Sequence, residues 1–251
     1  LVDPEGNILI TPGSDSGLYF AILPFIEDGD EVLIPSPSYP NNTLNIEIMG
    51  GRVVPVPLRP ETGYQLEAEL LEQSVSEKTK MIVLTHPNNP TTTVYNRQSL
   101  EILRDFVIRH DLILVCDQAF EDFCYENEMI TPAAMDGMFE RTVTVFSFSK
   151  GMGRSGLRVG YLVCGDEIMD SLYANAVSVL GATNTACQKA PLWRIRRLCR
   201  NLNGRSTSAG RPRKRFSTPF PTCTPICRSP ASCAGWTFPG WAIPRRSCSI
   251  W

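Results

Sequence analysis

Two runs constrain this chain most: Met81-Ile82-Val83-Leu84 and Leu112-Ile113-Leu114-Val115 are apolar at every position rather than at every second one. A strand with one wet face alternates apolar and polar residues, whereas a strand apolar on both faces must be covered on both sides. Helices have to supply that cover. With these two, at 80–85 and 112–116, further β-branched runs at residues 7–10, 31–34, 52–58, 142–148 and 157–164 read as strands, and amphipathic stretches at 14–26, 41–49, 66–76, 97–110 and 166–180 read as helices. Strand and helix alternating in this way predict a three-layer α/β/α domain with a mainly parallel sheet. The last two strands are joined by a Gly-rich link, residues 150–156, that is too short for a helical crossover, so one of them is expected to run antiparallel or to lie elsewhere in the sheet.

The pattern stops near residue 190. Residues 191–251 hold eleven Arg and one Lys with no Asp or Glu, so they carry +12, and the whole-chain charge of −2 leaves −14 for residues 1–190. All four Trp, eight of the 20 Pro and five of the nine Cys also fall there, without helical or strand periodicity. The expectation is an α/β domain over 1–190, followed by an aberrant, disordered tail over 191–251 that reads as frame-shifted text. A nucleic-acid-binding arm built on Arg211-Pro212-Arg213-Lys214-Arg215 is the alternative, disfavoured because Trp and Cys are scattered among the Arg.

Composition excludes several classes. No apolar run reaches the ~20 residues needed to span a bilayer, and Leu1-Val2-Asp3-Pro4-Glu5-Gly6 has neither a basic nor an apolar leader segment. A soluble, cytoplasmic protein met without its natural N-terminus is expected. Cys116, Cys124, Cys164 and Cys187 are far apart and read as small buried hydrophobes rather than disulfide partners. Cys223 and Cys227 have near-ligand spacing, but His86 and His110 are the only two His, so no metal site is expected.

In open α/β sheets ligands gather beyond the carboxyl ends of the strands. Five ends in succession offer polar groups there: Thr11-Pro12-Gly13-Ser14-Asp15, Pro35-Ser36-Pro37-Ser38-Tyr39, Thr85-His86-Pro87-Asn88-Asn89, Asp117-Gln118 and Ser147-Phe148-Ser149-Lys150. Gly13-Ser14 opening a helix is a ready anion site or an ordinary cap. Asp15 is awkward beside an anion unless its carboxylate turns away. Asp117, ending an apolar strand, needs a cation or several donors, which makes it either a turn cap or a carboxylate that keeps a heterocyclic nitrogen protonated. Lys150 is a solvated loop lysine or a Schiff-base nucleophile. The segment Gly151-Met152-Gly153-Arg154-Ser155-Gly156 matches the dinucleotide fingerprint in letters, but a strand rather than a helix follows it, so that reading fails.

The segment from Ser147 through Lys150 and Arg158 to Tyr161 resembles the lysine signature of the class I/II aminotransferases, the fold-type-I pyridoxal-phosphate-dependent enzymes, and the likeness extends over residues 1–190 with motifs in the family's order. The resemblance implies the large domain of that fold, truncated at both ends, and pyridoxal 5'-phosphate as cofactor. It implies that Lys150 holds the cofactor as a Schiff base, and that Gly13, Ser14, Asp15, Ser147 and Arg158 hold its phosphate. It further implies that Asp117 pairs with the ring nitrogen, Tyr39 stacks on the ring, and Asn89 donates to the ring oxygen. The implied reaction moves an amino group between an amino acid and a 2-oxo acid in a homodimer, with β-elimination at a C–S bond by the same equipment as the alternative. Phe120 stands where many members have tyrosine, Thr92 where Gly is common, His86 where Asn is common, and Arg154 where an apolar residue is usual. No residue of 191–251 matches the family's carboxylate-binding arginine, so the chain by itself is expected to be inactive or nearly so.

Overall fold

The computed structural model describes residues 2–125 and 128–190. The expectations for the tail, including its disorder, its basic run and the Cys223–Cys227 spacing, lie outside the described residues.

Seven strands form one sheet: β1 (Ile8–Thr11), β2 (Glu31–Ser36), β3 (Arg52–Pro57), β4 (Thr79–Thr85), β5 (Ile113–Asp117), β6 (Thr142–Ser147) and β7 (Gly160–Val163). Their spatial order is β1-β7-β6-β5-β4-β2-β3. All pairings are parallel except those of β7, which runs antiparallel to both β1 and β6. The short link before β7 therefore has the consequence expected of it. The strand begins later than residue 157, however, because residues 155–157 form a single 3-10 turn and Arg158 adopts a left-handed conformation, φ 51°. No helix follows the Gly-rich segment, as its rejection as a dinucleotide fingerprint requires.

Helices α1 (Ser14–Ile22), α2 (Pro40–Ile48), α3 (Ala68–Ser74), α4 (Arg97–Arg109) and α5 (Asp166–Leu180) fall within two or three residues of the stretches read from periodicity, apart from α1, whose run ends in a 3-10 turn at Leu23–Phe25. The side-chain alternation of the central strands divides the core in two. Met81 and Val83 of β4 and Val115 of β5 face one cluster with Leu18 and Ile22 of α1, Ile46 of α2 and Leu172 of α5. Ile82 and Leu84 of β4 and Leu114 and Cys116 of β5 face the other, with Leu70 and Leu71 of α3 and Leu100, Leu103 and Phe106 of α4. Three layers result. Burying a large apolar side chain contributes roughly 1.5–3 kcal/mol, and all four residues Met81 to Leu84 are fully buried. That is why a run without polar residues is stable only in the centre of this sheet.

Helix α4 shows the local rules plainly. Asn96 caps it by accepting from the Ser99 N–H at 2.8 Å, its apolar stripe is buried, and the chain turns at His110. Pro55 and Pro57 cannot donate to a ladder, and β3 is accordingly an edge strand. Of the four body cysteines, Cys116 and Cys164 are buried as expected, while Cys124 and Cys187 are only half-buried; all four are free. Among the described residues no helix is long and apolar enough to cross a membrane.

Candidate active site

Register builds the site. Thr11 at the end of β1 and Ser147 at the end of β6 both face Gly160, the first residue of the reversed strand β7. The reversal brings Arg158, two residues upstream, to the edge where β1 ends and α1 begins. Gly13, the residue before α1, has φ 89° and makes no side-chain cap, so the helix presents backbone N–H groups at its positive end. A Cβ on Gly13 would lie 2.5 Å from an Arg158 guanidinium nitrogen, and one on Gly160 would lie 2.7–2.8 Å from the Phe146 carbonyl oxygen, the Gly13 carbonyl carbon and the Ser14 nitrogen. Gly160 is required by close approach to backbone and Gly13 by its positive φ, and between them they let backbone and guanidinium converge into a cradle suited to an anion. Ser147 Oγ accepts from the Ser149 N–H at 3.2 Å at the rim of the same edge.

Asp15, in the first turn of α1, does not turn its carboxylate away. Oδ1 accepts from the Tyr39 hydroxyl at 3.0 Å and from Asn41 Nδ2 at 3.1 Å, while Oδ2 accepts from an Arg158 guanidinium nitrogen at 3.3 Å. Burial, with Asp15 adding to it, pushes the Tyr39 phenol up to about 12, so it remains a proton donor at neutral pH.

Asp117 closes β5 almost wholly buried, 5% exposed. Among the described residues one hydrogen bond reaches its carboxylate, from the Ala119 N–H at 3.0 Å. Burial pushes it up to about 6, with Asp15 adding to the rise and the Ala119 N–H and the Lys150 charge opposing it. It therefore has the character of a carboxylate short of a cation. Lys150 is exposed, its Nζ 5.4 Å from the centre of the Phe120 ring. Asn89 stands further off, on the wall of a cavity of about 750 Å³ that it shares with Phe120, Tyr64 and Tyr125, and it joins the other residues through Phe120.

His86 ties this side together. Its backbone N–H donates to the Asp117 carbonyl at 2.8 Å. Its ring Nδ1 accepts from the Tyr95 N–H at 3.3 Å, and its Nε2 lies 3.2 Å from the Ile130 carbonyl, which fixes the proton on Nε2. Burial lowers its pKa to about 4, so the ring is neutral at physiological pH.

The edge thus gathers Gly13, Ser14, Asp15, Tyr39, Ser147 and Arg158 on one side and Asp117 and Lys150 beside them, with Asn89 at the periphery. Two participants escaped the sequence reading. Asn41 also donates to the Tyr39 oxygen, at 3.0 Å, yet as one polar residue in a helical first turn it carries no distinguishing signal. Gly160 could have been flagged as a glycine inside a strand, a frequent mark of close backbone approach. Among the described residues no group of His, Cys, Asp or Glu side chains is placed to hold a metal.

Comparison with known proteins agrees with this architecture. The family model for aminotransferase class I and II matches residues 1–190. An aromatic-amino-acid aminotransferase of Thermococcus litoralis is 35% identical over 171 residues, 68% of this chain and 44% of that protein. An aspartate aminotransferase of Pyrococcus abyssi gives the same identity and coverage. Among solved structures, the aromatic aminotransferase of Pyrococcus horikoshii superposes with a TM-score of 0.75 at 30% identity, covering 81% of this chain and 55% of that one. The chain spans less than half the length of these curated relatives. It belongs to the class I and II aminotransferase family.

Proposed function

We propose that this member of the family is the cofactor-binding part of a pyridoxal-phosphate-dependent aminotransferase, which moves an amino group between an amino acid and a 2-oxo acid. One observation carries the reading: the reversal of β7 sets Arg158 against the Gly13 turn at the same sheet edge where Asp117 lies buried with a single N–H donor. An uncapped helix N-terminus with a guanidinium beside it fits a phosphate group, and a carboxylate short of a cation fits a protonated ring nitrogen.

Bound there, pyridoxal phosphate supplies a carbonyl that condenses with amines and an electron-withdrawing ring. The residues supply the rest. Arg158 offers a planar fork of donors to phosphate oxygens, alongside the N–H groups of the α1 first turn and the Ser147 hydroxyl. The Asp117 carboxylate holds a proton on the ring nitrogen. Tyr39 would lend a flat face to restrain the ring, and Asn89, from the cavity wall, would donate to the ring oxygen. Phe120, lacking a hydroxyl, makes no second donation there. Lys150 Nζ would be the covalent attachment point and the group placed to take a proton from the substrate Cα as base and return one as acid.

The test is peptide mass spectrometry of the 251-residue protein after adding pyridoxal phosphate and reducing with borohydride. An adduct at Lys150, lost in Lys150→Ala, is expected. Labelling spread over surface lysines would refute the assignment.

A further inference from the structure

Asp15 places a negative charge where an anion is to be held. Its Oδ2 engages the Arg158 guanidinium, and its position in the first turn of α1 sets the same carboxylate against the positive end of that helix. These are the two positive features of the cradle, and one side chain opposes both. Its Oδ1 is occupied by Tyr39 and Asn41, whose hydrogen bonds anchor the carboxylate from the far side.

We infer that Asp15 is the internal counter-ion of the cradle, setting its affinity for a phosphate group below what Arg158 and the α1 N-terminus would otherwise give. This rests on the proposed function only in taking phosphate as the anion. Two effects of the carboxylate compete. It orders Arg158, which favours binding, and it repels an incoming phosphate, which opposes it. The ordering is weak, because the Asp15 and Arg158 side chains are 47% and 49% exposed and their contact is a long 3.3 Å. Repulsion is screened by the same exposure but needs no ordered contact, since Tyr39 and Asn41 hold the carboxylate in the cradle whether or not Arg158 engages it, so repulsion wins. Asn at this position would still accept from Tyr39 and Asn41 through its amide oxygen, so the substitution removes charge and leaves the anchoring intact.

Calorimetric titration of inorganic phosphate into the full chain at low salt tests this, using wild type, Asp15→Asn, Arg158→Gln and the double variant. Asp15→Asn is expected to bind phosphate at least about fivefold more tightly, the scale of one like charge near a half-exposed site. In the Arg158→Gln background most of that gain should remain, because the repulsion acts on the phosphate directly rather than through the Arg158 contact. Unchanged or weaker binding by Asp15→Asn overturns the inference, as does a gain that disappears without Arg158. The borohydride adduct separates the two readings. An adduct at Lys150 with phosphate binding indifferent to Asp15 removes the counter-ion and leaves the proposed function standing. Neither adduct nor phosphate binding removes both.

Discussion

The two sides of the site are held by different physics. Beside β1 and β7 the anion cradle is made by backbone approach: Gly13 and Gly160 let chain segments converge, and the charges on Asp15 and Arg158 remain half in water. Beside β4 and β5 the opposite holds, since Asp117 and His86 are buried in a covered sheet and their properties come from desolvation. The lesson is that the cradle is rigid in backbone and soft in charge, whereas the acid end derives its chemistry from burial.

The largest test falls on the cradle's backbone. Gly160→Ala places a methyl group within 2.8 Å of three backbone atoms, none of which can rotate aside. A loss of about 3 kcal/mol or more is expected in urea unfolding, from overpacking plus displaced strands. A loss below about 1 kcal/mol would show that the two sides differ less than argued.

Next comes the buried side. Asp117 rises from an ordinary 3.8 to about 6, so the folded state holds an extra proton between those values and stability is lost progressively as pH rises from the lower to the higher. Asp117→Asn should therefore stabilise the protein without cofactor by about 2 kcal/mol at pH 8 and by nothing near pH 4. His86 works in the reverse sense. Its value falls from 6.5 to about 4, so the unfolded chain binds the extra proton and stability drops as pH falls through that window. The two nearly offset in wild type. Asp117→Asn should expose the His86 loss on acidification, read as unfolding midpoints at pH 4, 5, 6 and 8; a variant as flat as wild type would contradict both assignments.

The smallest effect is expected at the cradle's exposed charge. Arg158→Gln should alter unfolding free energy by less than about 0.5 kcal/mol, because both partners of its ion pair are half-exposed, while weakening phosphate binding. A large stability loss would mean that Arg158 is structural and that the contrast between the two sides is mistaken.

Much of the fold was legible in the sequence. The seven strands and five helices lie close to where periodicity set them, because doubly apolar runs such as 81–84 tolerate only a covered central position. The reversed strand followed from a link too short to cross over. Within the site, Gly13, Asp117 and Lys150 were legible as polar or flexible groups at strand ends, and their roles came from resemblance. The direction of the Asp15 carboxylate was left open, because its partners Tyr39, Asn41 and Arg158 are 24, 26 and 143 residues away. The near-neutral value of Asp117 and the single tautomer of His86 were likewise out of reach.

The sequence by itself determined which residues would be strands, that helices must cover both faces, and which strand ends would present polar groups, because these depend on local periodicity and on the cost of wetting apolar side chains. Only the tertiary structure decided that Thr11, Ser147 and Gly160 share one register row, that Arg158 reaches the Gly13 turn, and that Asp15 stands between them. Those outcomes depend on strand order and close approach between segments about 145 residues apart, where a contact is fixed by packing rather than by neighbouring residues in the chain.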